Sequence, residues 1–173
     1  DYEYPLEDKS QLVVAAQVIR QDAINDGGNE DPAKAYYKKG AKAFTVGAKI
    51  GWKNVNWETT INYNRITAHG QYLMPREWGR DPFFTFLPRE RNEGLGDVHA
   101  IMGKINYKLP SLKLTASAAF GFYKLPEVSN SALNKYGLPS YNQLNVDIRY
   151  QFAGLLKGLE TQFLYVYKDK TGN

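Results

Sequence analysis

Six charged side chains stand where they could sort solutes: Lys49, Glu58, Lys104, Asp147, Arg149 and Glu160 fall on the polar side of segments whose polar and apolar residues alternate. Opposite charges along one polar surface create a transverse field and fixed donors and acceptors, which discriminate between ions and between carboxylate-bearing solutes. Asp147 and Arg149 are two apart on one face, within reach of Glu160 across a short turn. The plainer reading is that these are solvated or mutually paired side chains. A second group, Arg76, Arg80, Arg89 and Arg91, lies in a long segment rich in Phe and Pro. Guanidinium groups bind carboxylates in a bidentate fork. If the segment folds inward, these arginines narrow a pore and attract carboxylates. If it stays outside, they bind lipopolysaccharide phosphate or pair with Glu77, Asp81, Glu90 and Glu93.

Two other constellations carry less. Asp97 and His99 are two apart, so a carboxylate could orient an imidazole as a general base. No nucleophile stands at a recognisable spacing, and Ser117 belongs to a different strand. A hydrolase is therefore the weakest reading, and no catalytic residue is assigned. DAINDGGNED gathers Asp22, Asp26, Glu30 and Asp31, but Ile24 stands where an EF-hand loop needs an oxygen ligand. The absence of Cys excludes a disulfide framework and a thiolate zinc site, and two His, His69 and His99, argue against a histidine-rich metal site. No metal or other cofactor is expected. The net charge of +4 is too small and dispersed to indicate nucleic acid. No run of about 18 apolar residues exists, which removes a transmembrane helix. Asp1 to Lys9 is acidic and polar, unlike a targeting segment.

The elements that must position these charges are strands. NQLNVDIRYQF, Asn142 to Phe152, places Leu144, Val146, Ile148, Tyr150 and Phe152 on one face and Asn145, Asp147, Arg149 and Gln151 on the other. The same period of two runs through Ala43 to Trp52, Val55 to Tyr63, Val98 to Leu109, Leu114 to Phe122 and Leu159 to Tyr167. Gln11 to Arg20 is apolar on both faces and fits a helix by periodicity, although its Val and Ile content leans to strand. Seven strands result. Their connections alternate: long after the first, third and fifth, short at Lys53 and Asn54, at Pro110 and Ser111, and at Ala153 to Gly158. That alternation predicts an antiparallel up-and-down transmembrane β-barrel, with short turns at one end and long loops at the other.

A soluble antiparallel β-barrel binding module also alternates, with its apolar side inside. Three features favour the membrane version. The strands run about nine to eleven residues, the length that crosses a bilayer at a tilt. Trp52, Trp57, Tyr63, Tyr107, Phe122, Tyr150, Phe152, Tyr165 and Tyr167 sit near strand ends, where interfacial rings belong. The polar sides carry small residues such as Thr45, Gly47, Gly51, Ser117, Ala119 and Gly121. Seven strands close no even-numbered barrel, and lipid tolerates no open sheet edge. The expectation is a single β-barrel domain over 1–173 that forms part of a larger barrel, an eighth strand within a long loop being the alternative.

LMPREWGRDPFFTFLPRERNEGLGDVHA, Leu73 to Ala100, and NQLNVDIRYQFAGLLKGLETQFLYVYK, Asn142 to Lys168, resemble the later part of bacterial outer-membrane porins of the OprD type, particularly the Bacteroidetes versions. The resemblance covers roughly the last 130 residues and is strongest over PREWGRDPFFTFLPRERNEG. It implies a barrel of about eighteen strands in the outer membrane of a Gram-negative bacterium. Its lumen would pass small hydrophilic solutes, often anionic or zwitterionic, along basic side chains. The chain would be its C-terminal portion, although the usual final strand ending in an aromatic residue is missing. Outer-membrane lipid and lipopolysaccharide are then its neighbours, with self-association compatible.

Overall fold

In the computed structural model the described residues are 1–24, 30–31, 37–74 and 79–172. Their strands are β1 (Tyr2–Pro5), β2 (Gln11–Asp22), β3 (Lys42–Lys53), β4 (Trp57–Ile66), β5 (Val98–Leu109), β6 (Leu114–Lys124), β7 (Tyr141–Gln151) and β8 (Glu160–Lys170). Each strand pairs antiparallel with the next in sequence, giving one eight-stranded up-and-down sheet. The sheet is open, with β1 and β8 at its two edges. The count of seven is corrected to eight. The extra strand lies before the first expected one, with Tyr2 opposite Val14 and Pro5 opposite Gln11. Four residues ending in Pro show too little periodicity to be read as a strand.

The turns follow from local chemistry. Between β3 and β4, the Asn54 side-chain oxygen accepts from the backbone N–H of Asn56 at 2.9 Å and of Trp57 at 2.8 Å, which closes the hairpin as an Asx turn. Between β5 and β6 a short 3-10 turn, Pro110–Leu112, begins at the fixed φ of proline and ends at Lys113 with φ +54°. Between β7 and β8 the chain turns through Gly154 and Gly158, with φ of +62° and +100°.

The register separates two unlike faces. On one, Ile50, Ile61, Gly103, Phe120, Leu144 and Tyr167 lie side by side across six strands. This apolar face is uncovered: Ile50 is 52% exposed, Phe163 61% and Tyr167 53%. Rings gather toward its margins. Trp57 stacks on Tyr107 with centroids 4.1 Å apart at the turn end, while Phe120 meets Phe122 edge to face at 4.8 Å toward the loop end. An exposed apolar surface of this extent marks an interaction surface, for lipid or for protein.

The opposite, polar face is half covered, and the buried core lies there. Ala43, Ile66, Val98, Ala100, Met102, Ala119, Tyr123 and Tyr141 of the strands pack against Tyr72, Phe83, Leu87 and Leu95 of the long β4–β5 connection. The small residues of this face make room for that connection: a Cβ on Gly47 would stand 3.3 Å from the Phe84 ring. Not every aromatic sits at a margin of the apolar face, because Tyr72, Phe83, Tyr123 and Tyr141 are core residues.

Candidate functional site: the polar face of the sheet

The β4–β5 connection, 67–97, is seated on the loop-end half of the polar face. Its seat consists of strand side chains donating to its main-chain carbonyls. Gln17 of β2 donates to Pro82 O at 3.0 Å and Gln21 to Leu73 O at 2.7 Å. Tyr123 of β6 donates to Thr85 O at 2.8 Å. Gln143 and Asn145 of β7 both donate to Pro88 O, at 2.8 and 3.0 Å. Lys168 of β8 donates to Arg89 O at 3.2 Å and lies 3.9 Å over the Tyr141 ring. The donors come from β2 at one side and β8 at the other, so the connection crosses the sheet.

A second loop, 125–140 between β6 and β7, braces the first. Leu95 bridges to both Tyr72 and Asn134. Gly96 N donates to Leu133 O at 2.8 Å, and Lys135 N to Gly94 O at 3.0 Å. Glu93 accepts from the Tyr136 hydroxyl at 2.6 Å and pairs with Lys135 at 3.4 Å. A Cβ on Gly96 would stand 2.4 Å from the Gly70 carbonyl oxygen, so glycine is required where these segments cross.

Beneath this roof the polar groups are unusually short of partners. Asn64, Thr85 and Asn92 are fully buried, and neither the Asn64 and Asn92 amides nor the Thr85 hydroxyl finds a protein partner. Neither carboxylate oxygen of Glu90, 8% exposed, has a partner of full hydrogen-bond geometry, although the Leu87 N–H and the Asn92 amide face it. Burial, and then the nearby Asp81 charge, push the Glu90 carboxyl well up from its ordinary value. Burial also raises the Asp81 carboxyl, although its Oδ2 accepts from Asn92 N at 3.1 Å. Burial, aided by Asp81, pushes the Tyr72 hydroxyl up to about 12.

The turn-end half of the same face carries the six expected residues, of which only Asp147, Arg149 and Glu160 are brought together. Lys49 pairs with Asp1 at 2.9 Å and lies 5.1 Å over the Phe84 ring, at the boundary with the roofed half. Glu58 accepts from Asn106 at 3.0 Å. Asp147 accepts from Arg149 at 3.2 Å and from Gln162 at 2.7 Å. Arg149 reaches Glu160 across the hairpin at 3.5 Å. Lys104 stands opposite Thr60 and Ala119 in register, without an ion pair among the described residues.

The arginine group is not gathered into one cluster. Arg76 lies outside the described residues. Arg80 stands 6.0 Å from the Phe86 ring, and Arg91 4.5 Å from the Tyr136 ring. Arg89 is exposed at φ +72° and holds the sheet by its carbonyl rather than its guanidinium. The Asp97 and His99 couple is not assembled either. Asp97 is 2.6 Å from Arg65, while His99 meets the Tyr63 hydroxyl at 2.9 Å on the apolar face. Of the acidic first loop, Asp22 pairs with Arg20 at 2.7 Å, and Asp26 lies outside the described residues. The amides of Gln17, Gln21, Gln143 and Asn145 were not singled out by sequence reasoning. Their one signal was an uncharged amide on the polar side of a strand.

No protein-family profile matches the chain, and no curated protein does. Among solved structures it is similar to the crystal structure of Pseudomonas aeruginosa OccK5 (OpdH), with a TM-score of 0.74 and 15% identity over 98% of this chain. The match covers 43% of that protein, so the chain spans less than half its length. The likeness establishes the fold alone, an antiparallel up-and-down sheet like part of that protein's.

Proposed function

We propose that this chain is part of a wider outer-membrane barrel of the OprD type, and that the barrel passes small hydrophilic solutes, anionic or zwitterionic ones among them. The observation that carries the reading is the contrast between faces. An uncovered aliphatic and aromatic face suits lipid, while the opposite face carries charge and an inward-folded loop. The open edges at β1 and β8 suit a sheet continued by further strands. Placement in the C-terminal portion of such a barrel, and kinship with its Bacteroidetes versions, rest on the 73–100 and 142–168 stretches.

In this reading the 67–97 loop narrows the lumen. Lys104 and the Asp147, Arg149 and Glu160 network line the vestibule below it, and Arg80, Arg89 and Arg91 add positive charge at the constriction. Arg89→Gln with Arg91→Gln, in reconstituted full-length protein, is expected to lower anion preference measured by reversal potential in a salt gradient. An unchanged preference overturns the constriction role of these arginines.

A further inference from the structure

We propose that Glu90 is a proton-controlled latch: with its carboxyl protonated the 81–93 arm of the loop stays seated on the polar face, and ionisation releases it. The inference rests on the reading of this loop as the constriction and adds its regulation.

Geometry places the group at the right point. Glu90 directly follows the two residues whose carbonyls anchor the arm, Pro88 under Gln143 and Asn145, and Arg89 under Lys168. Its side chain is buried between arm and sheet, and no bond of full hydrogen-bonding geometry reaches either oxygen. A neutral carboxyl can lie there at modest cost. A carboxylate facing only the Leu87 N–H and the Asn92 amide, neither aligned into a full hydrogen bond, cannot, because these two donors do not replace its lost hydration.

The groups facing it do not supply the missing charge. From the arm itself come Asp81, a like charge, Asn92, and Arg91, which lies over Tyr136. Glu93 on the same arm is bonded to Tyr136 and Lys135 of the bracing loop. Tyr123 of β6 and Tyr141 of β7 form the floor, stacked with centroids 4.7 Å apart. Tyr123 already donates its hydroxyl to Thr85 O. The cation of β8, Lys168, donates to Arg89 O and lies over the Tyr141 ring. Its attraction for Glu90 is outweighed by burial and Asp81 together, since the net displacement of the Glu90 carboxyl is upward.

The sign of the linkage follows. A carboxyl that binds its proton more tightly in the seated state than in the released state favours seating at low pH. As pH rises past the ordinary glutamate range, the released state ionises first. The seating constant then falls by up to about tenfold per pH unit, until the seated carboxyl ionises as well. The channel is therefore expected to be narrower in acid and wider toward neutral and alkaline pH.

The test uses reconstituted full-length protein in a background without other cysteines. Thr85→Cys is a probe on the buried side of the arm, fully covered when the arm is seated, labelled with a water-soluble maleimide across pH, with and without Glu90→Gln. Comparing the two at each pH cancels the ionisation of the thiol itself. The rates should agree near about pH 5, and by about pH 8 the protein retaining Glu90 should label tenfold or more faster, with conductance rising in parallel. Equal rates at every pH overturn the latch. Divergent rates with flat conductance support the latch and overturn the constriction reading instead. If Glu90→Gln fails to insert, Asp81→Asn replaces it: removing the like charge should flatten the pH dependence, and an unaltered profile overturns the proposal.

Discussion

The two halves of the polar face use similar residue types to opposite ends. At the loop end, Gln17, Gln21, Tyr123, Gln143 and Asn145 spend their donors on the main chain of one long loop, and Tyr123, Gln143 and Asn145 are buried beneath it. At the turn end, Asp147, Arg149, Glu160 and Gln162 bond mostly to one another, and all but the half-buried Asp147 stay open to solvent. Burial makes the first set structural, since each donor lost there strands a carbonyl without water. Exposure leaves the second set little structural weight, because a screened surface pair contributes little to stability.

That contrast breaks most visibly at Tyr123. The side chain is 1% exposed, stacks on Tyr141 and holds Thr85. Tyr123→Ala should cost about 3–5 kcal/mol of seating and core packing, read as a large fall in the thermal midpoint of the folded barrel in detergent. A fall no larger than that of a turn-end substitution would erase the distinction between the halves.

A smaller effect is expected at Gln143. Its amide holds Pro88 O at 2.8 Å and Asn145 Oδ1 at 2.7 Å. Gln143→Leu keeps the bulk and removes the donor, leaving buried acceptors short of a partner at about 1–3 kcal/mol. Local opening of the arm then becomes roughly 5- to 100-fold more frequent, measured as the rate of proteolytic cleavage within 81–93. An unchanged rate means that the amide seat does not hold the loop.

The difference between the halves also explains what the sequence could reveal. Strands β3 to β8 were legible because each samples the two-residue period several times, and the charged network was legible because Asp147, Arg149 and Glu160 follow from that period and a short hairpin. β2 was ambiguous because its inner residues, Val13 and Ala15, are buried as well as its outer ones being apolar. The loop seat was not legible, for a physical reason. Its acceptors are the carbonyls of Leu73, Pro82, Thr85, Pro88 and Arg89, and a carbonyl is the same in every residue type. The arginines drew attention by their side chains, yet Arg89 is fastened by its backbone. Pairing of Asp97 with His99 failed because Arg65, from the neighbouring strand, takes the carboxylate first.

The smallest stability effect, and the sharpest test of the open half, belongs to Arg149. Its side chain is 47% exposed, and its partners are Asp147 at 3.2 Å and Glu160 at 3.5 Å. Pairs this exposed contribute roughly 0–1 kcal/mol, so Arg149→Gln should leave the thermal midpoint nearly unmoved. Selectivity should respond instead, because the substitution leaves two carboxylates facing the same water without their cation. A unit charge at about 4 Å in water is worth about 1 kcal/mol, which corresponds to a several-fold shift toward cations in the reversal potential at low salt. The shift should shrink as added salt shortens the screening length. A large loss of stability with no change in selectivity would move Arg149 into the structural class of the roofed half, and the division of the polar face would fail at its most exposed member.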